Sequence, residues 1–428
     1  MKSHTGAVKR LAWWVLGAVA IAAILGAAVI VVMRRQQADA AKFLADEVAA
    51  ARREGLPLSR AELLAKYPLP PGQDAAPVYR RVMPRFKLIE GLNDEHYLSI
   101  GKLLEGKANQ ADIQLVRLRV GDVDPQISEV IAASKLPRCD LGPDEGEPGR
   151  PGLALDLVEV TKYLAAKAEL LTRDGKIAQA CDVLAAIGRI GQQIRQGGTL
   201  MDELCATLDD GIGLGPLRDV LAKSSGNPAL IVKCQAALDT FGPDLDIKRV
   251  RLVDAVTSLQ EISELRTTGD LQAATMPASP AALSQRGKGL PLSQWIKDEI
   301  AAKLIAAYRK LSRAFASATN DPTSLAAAAR GVQADVERDR SSTNGFARIY
   351  ISSATRWPIT LTRNEYSLQA ERNLARMAVR LMQDHLRTGR YPASLAGYGT
   401  IAVDPRAGKP FSYRLIGSGF DLGSWSFR

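Results

Sequence analysis

Few residues in this chain combine a type and a spacing that could do chemistry. Three histidines occur, His4, His96 and His385. His96 stands in NDEHY beside Asp94 and Glu95, a set that could contribute metal ligands. The HxxxH and HExxH spacings that place two imidazoles on one helix face are absent, so a solvated loop is the expected reading. His385 falls on an apolar helix face with Leu374, Ala378 and Leu381, has no neighbour suited to a triad, and reads as a core histidine. The glycines Gly211, Gly213 and Gly215 of DGIGLGP follow a helical pattern, whereas a phosphate cradle needs its glycines between a strand and a helix N-terminus. No GxSxG, no P-loop and no strand-borne GxGxxG is present. We therefore expect no catalytic residue, no cofactor site and no metal site. The alternative class is a hydrolase or ligand-binding enzyme whose site is assembled from residues distant in sequence.

The remaining reactive groups are four cysteines, Cys139, Cys181, Cys205 and Cys234. None forms a CxxC pair, so the short-spaced ligands of a structural zinc site are missing. An even count in an oxidising compartment permits disulfides. If two helices turn near Gly197, Cys181 and Cys205 are offset by about 8 residues, or ~12 Å, beyond disulfide reach. Cys205–Cys234 is the pairing to expect, with free buried thiols an equal alternative.

The element that must position everything else is Leu11–Met33, LAWWVLGAVAIAAILGAAVIVVM, which holds no charge and no proline. As a helix it spans roughly 34 Å, enough for a hydrocarbon core of about 30 Å. Signal-peptide apolar cores run about 7–15 residues, and the Ala38-Asp39-Ala40 pattern sits behind Arg34 and Arg35, so a retained anchor is expected rather than a cleaved signal. Lys2, Lys9 and Arg10 precede the span and keep a short head inside, while a large C-terminal domain translocates largely regardless of its charge. The expected topology is a single span of a bacterial inner membrane, N-terminus in and C-terminal domain extracytoplasmic, with Trp13 and Trp14 at the cytoplasmic interface.

Composition is that of an ordinary globular chain of 428 residues, 46% hydrophobic and 24% charged, but only 5% aromatic. Alanine-rich, aromatic-poor sequence favours helix-on-helix packing. The formal charge of +10 is dispersed, with no basic run interleaved with aromatics, so nucleic acid is not an expected partner. The fold class expected is mainly α: the N-terminal transmembrane helix, a helical-hairpin ectodomain, and a small C-terminal helix plus β-hairpin.

Along the chain, Ala38–Arg53 continues the anchor helix until Gly55 and Pro57. Ser59 and Glu62 form a capping box, and the Pro-rich segment 67–72 is a stiff connector. Helices follow near 75–89, 109–120 and 125–134, and the Pro-, Gly- and acid-rich segment 139–152 is a surface loop. Leu153–Arg195 is the clearest unit: two apolar helical stripes joined by Asp174-Gly175-Lys176, an αα-hairpin. A helix from Thr199 should break at Gly211, Gly213, Gly215 and Pro216. Another covers Leu245–Leu265, and 273–291 is a linker. Trp295–Ala316 is a strong helix; the next, capped by Asp321 or Thr323, runs to about Arg338, before a break at 339–345. The expected modules are 1–35, 36–150, 151–345 and 346–428.

The tail has its own character. A helix over Glu371–Arg387 leads into Gly389 and Tyr391-Pro392, then Leu395, Asp404-Pro405, Gly408, Pro410 and Tyr413. Alternating Phe411, Tyr413 and Leu415, then Phe420 and Leu422, flank a turn at 417–419. Asp404 should accept hydrogen bonds from its own turn, and Tyr391 and Trp425 should pack the hairpin on the helix. This order of helix, YP, DP and hairpin resembles the C-terminal part of the major pseudopilins of type II secretion systems. The resemblance implies that fold fragment. It does not imply pilus assembly, because the prepilin signature is absent near Gly6 and Leu11–Met33 holds no glutamate. The whole layout is also similar to that of bacterial single-pass envelope proteins.

The function expected is a membrane-anchored, non-catalytic interaction or scaffold module. The expected partners are the lipid bilayer, through residues 11–33, and an envelope protein or polymer. A third reading is an accessory component of a secretion or pilus-like apparatus.

Overall fold

The computed structural model describes residues 4–66, 68–90, 94–141, 152–196, 200–242, 294–317, 345–417 and 419–423, with isolated positions between 327 and 335. It is mainly helical, with a small β-hairpin at the C-terminal end.

Helix α1 (His4–Arg53) is continuous through the apolar stretch and beyond it. Gly55, at φ +70°, ends it: the Leu56 amide donates to the Ala51 carbonyl at 3.0 Å, a helix stop that needs a left-handed residue. Among the described residues no helix is long and apolar enough to cross a membrane. The described side chains of the stretch are exposed, Ile24 at 68%, Leu25 at 62% and Val31 at 65% among them. The C-terminal half of α1 packs on α11 (Gln294–Ser317). Arg309 bridges Glu47 at 2.5 Å and Glu54 at 2.6 Å, and Arg313 reaches Glu54 at 2.6 Å. The hydrogen bonds from Arg313 and Arg309 hold the Glu54 carboxyl down at about 2.

Helix α2 (Arg60–Lys66) starts on the expected cap: the Glu62 amide donates to Ser59 Oγ, and Glu62 accepts from the Leu58 amide. Then come α3 (Ala76–Glu90), α4 (Asp94–Leu104), α5 (Gln110–Asp122) and α6 (Asp124–Ala133). The Asn109–Asp112 capping box opens α5.

The expected αα-hairpin is present as α7 (Leu153–Arg173) and α8 (Ile177–Arg195). Gly175, at φ +74°, makes the turn, with the Lys176 amide donating to the Leu171 carbonyl. The stripes Leu157, Val160, Leu164 and Leu184, Ile187, Ile190 and Ile194 are fully buried between them. Helix α9 (Leu200–Ser224) lies across both and does not break at its glycines. Packing overrides propensity here. A Cβ on Gly213 would meet the Phe241 ring at 2.5 Å and Ile187 at 2.9 Å, so the glycine lets the helices close. Asn227 caps α10 (Pro228–Leu238), which rests on α8 and α9.

One apolar core runs from Ala75 to Phe241 and takes in Leu368, Ala375, Val379 and Met382 of α12 (Gly345–Thr388). That helix begins well before the expected Glu371, because its N-terminal part continues the same helical run. It is also two-sided. A second face, Ala370, Met377 and Leu381, meets Leu395, Ala402 and Phe411 of the C-terminal unit. The expected face through Leu374, Leu381 and His385 belongs to this second one, and the face through Leu368 and Ala375 is added to it. Past a 3₁₀ turn (Gly399–Ala402), β1 (Val403–Asp404) pairs with β2 (Lys409–Pro410), and β3 (Ser412–Ile416) with β4 (Gly419–Gly423), both antiparallel. The expected elements at 245–265, 273–291 and 339–344, most of 321–338, and Trp425 lie outside the described residues.

Candidate functional site

Where α8, α9 and α12 converge, the apolar core is interrupted by charge. Arg195 closes α8, and Glu203 and Asp210 are two helical turns apart on α9. Arg372 lies on the stripe Leu368, Ala375, Val379 and Met382, which aims it at α9. Arg195 donates through Nε to Glu203 at 3.0 Å and through Nη2 to Asp210 Oδ2 at 2.8 Å. The Arg372 guanidinium lies 3.6 Å from the same Asp210 oxygen and donates to the Gly242 carbonyl at 3.3 Å. Arg372 and Asp210 are 0% exposed.

Two glycines make the room. A Cβ on Gly242 would meet Arg372 at 2.6 Å and Asp210 at 2.9 Å, and one on Gly191 would meet Asp210 at 3.1 Å. Asp209, the residue before Asp210, is fully buried. Burial pushes its carboxyl well above the usual carboxylate range; the Asp210 charge adds to this, and the Thr161 hydroxyl and Arg195 oppose it. Around it two guanidiniums, Arg195 and Arg372, face Glu203 and Asp210.

No protein-family model, curated protein or solved structure matches the chain. The reading of the cluster rests on its geometry. The four charges lie among packed helices, and each carboxylate meets a guanidinium. Such a cluster favours one arrangement of helices over others more than it adds net stability. It ties the tail-bearing α12 to the α7–α9 body.

A second polar set docks α3 and the segment after α6 on that body. Tyr79 on α3 donates to Gln193 Oε1 at 2.5 Å, and Gln193 Nε2 donates to the Leu136 carbonyl at 2.7 Å. Gln196 accepts from the Cys139 amide and donates to the Pro137 carbonyl, both at 2.8 Å.

The residues singled out from sequence are scattered. His96 lies in the first turn of α4 rather than in a loop, because the helix begins at Asp94. His385 is half-buried at the edge of the C-terminal unit and stacks on Tyr391 with ring centroids 4.3 Å apart. Tyr391 in turn meets Phe420 edge-on at 5.0 Å, fastening the hairpin to α12. Asp404 is buried, and its carboxylate accepts from the Arg406 amide at 2.9 Å, the turn contact expected. All four cysteines are buried thiols. The sulfur facing Cys234 belongs to Cys181, at 3.4 Å, and not to Cys205. Among the described residues no group of three or more His, Cys, Asp or Glu is arranged to hold a metal ion. Sequence reading missed Arg195, Glu203, Asp209, Asp210 and Arg372. One signal was available: an arginine at position 372 on an otherwise apolar helical stripe.

Proposed function

We propose that this chain is a single-pass, membrane-anchored envelope protein that acts by binding, holding a rigid helical body close to the bilayer. The observation that carries this reading is the apolar surface of α1. From Ile21 to Met33 large apolar side chains stand exposed around the helix, over roughly 20 Å of its length. Exposed apolar surface of that extent calls for a lipid or protein cover. Arg34 and Arg35 end it, and α1 runs on without a break into the ion pairs that seat it on α11. An anchor joined to its body through a continuous helix transmits position and orientation.

The partner in this reading is an envelope protein or polymer. A second reading, an accessory part of a secretion apparatus, draws on the tail, where helix, Tyr391-Pro392, the Asp404 turn and a hairpin follow one another in the order of the pseudopilin resemblance. The test begins with a reporter fused after Arg428, which should be active only outside the cytoplasm. Crosslinking of the full-length protein in its own membranes should then capture one or two stoichiometric envelope partners, with secretion components favouring the second reading. A reporter active only in the cytoplasm overturns the anchor. Turnover of an envelope substrate by the purified chain, lost on a single polar substitution, overturns the non-catalytic role.

A further inference from the structure

Cys181 and Cys234 lie 53 positions apart in the chain, one on α8 and the other on α10, and their sulfurs are 3.4 Å apart. Cys234 Sγ also lies 3.2 Å from Ser224 Oγ at the end of α9, and Ser224 donates to the Val220 carbonyl at 2.7 Å. With the Ser224 proton on Val220, the polar chain runs from the Cys181 thiol to Cys234, then to Ser224, then to the backbone. Both thiols are buried, at 1% and 0% exposed.

We infer that Cys181 and Cys234 are the site of a structural disulfide, formed by exchange with a donor disulfide while the chain folds and stapling α10 to α8. The sulfurs have to close from 3.4 Å to the roughly 2.05 Å of the bond. One of the two cysteines, as its thiolate, attacks the donor disulfide, forming a mixed disulfide and releasing one donor thiol. The other then loses its proton and attacks the protein sulfur of that mixed disulfide, releasing the second donor thiol. Two electrons and two protons pass to the donor, and one protein disulfide forms. Burial in the folded state closes the site to exchange, which places the reaction before α10 settles on α8. The bond encloses all of α9 and holds the end of α10. Beyond it lies the 240–242 turn, whose carbonyls receive Gln192 at 2.7 Å and Arg372 at 3.3 Å.

The test uses the full chain in detergent, reduced and unfolded, then refolded in a mixture of oxidised and reduced glutathione. The products are acid-trapped, alkylated, digested and read by mass spectrometry. The expected result is a peptide pair joined through Cys181 and Cys234, two hydrogens lighter than its reduced parts, with Cys139 and Cys205 alkylated. Cys205→Ala should retain the linked pair in full. Four alkylated thiols after refolding, or a link between Cys205 and Cys234 that disappears in Cys205→Ala, overturns the assignment. Because the donor is supplied, the outcome does not depend on the topology proposed above.

Discussion

Replacing Asp210 with asparagine removes one charge from the buried cluster and almost nothing from its shape. Asp210 Oδ2 is shared by Arg195 at 2.8 Å and by Arg372 at 3.6 Å, and neither Asp210 nor Arg372 is exposed to water. Glu203 still answers Arg195 at 3.0 Å. The loss therefore falls most directly on Arg372, which is fully buried beside Asp210. Breaking a buried ion pair by removing one partner costs about 3–5 kcal/mol. We expect Asp210→Asn to lower unfolding stability within that range. The measurement is urea titration of the full-length protein in detergent, followed by far-ultraviolet circular dichroism. Amide exchange should show α12 loosening before α7 and α8. Adding Arg372→Met to Asp210→Asn removes the cation that faced Asp210 and leaves Arg195 paired with Glu203. The double variant should then be more stable than Asp210→Asn alone by at least about 1 kcal/mol, a coupling normal for contacting charges. A loss below about 1 kcal/mol for Asp210→Asn, or a double variant no better than the sum of the single changes, refutes the view that this pair locks α12 to the body.

Two further substitutions probe the same region. Asp209→Asn replaces a fully buried acid whose carboxyl burial holds well above the usual carboxylate range. Its raised native pKa makes wild-type stability fall as pH climbs out of the usual carboxylate range. The variant's advantage should therefore grow by up to about 1.4 kcal/mol per pH unit and vanish below about pH 4. Urea midpoints measured at several pH values check this, and a difference independent of pH contradicts a raised Asp209 carboxyl. On the same helix, Gly213→Ala drives a methyl into Phe241 and Ile187 and should cost about 1–3 kcal/mol. Gly215→Ala meets nothing within 4 Å and should gain up to about 1 kcal/mol of helix propensity, so thermal midpoints should move in opposite directions.

What could be read from sequence divides along the range of the interactions. The α7–α8 hairpin was legible because its signals are local: two apolar stripes at helical spacing, joined by a glycine that takes φ +74°. The tail hairpin was legible for the same reason, through alternation on either side of Gly417. Helix α9 was misjudged because its glycines are placed by a neighbour: Gly213 serves the approach of Phe241, from beyond the end of α10. The approach of Cys181 to Cys234 was hidden likewise, since the geometry that excluded Cys181–Cys205 could not reveal that α10 returns its Cys234 to α8.

Arg372 makes the sharpest case. Its spacing from Leu368 and Ala375 places it on the buried stripe, and the cost of burying a lone guanidinium would ordinarily argue that the stripe ends there. The stripe continues because α9 presents Asp210 and the chain after α10 presents the Gly242 carbonyl at the same place. A charge inside an apolar stripe thus predicts a partner elsewhere in the chain, and the local pattern cannot say where. It does say that α12 has one seat on the helical body. Sliding α12 by a turn would keep apolar contacts but strand the guanidinium, so this pair, more than the leucines and valines around it, sets the register in which the tail is carried.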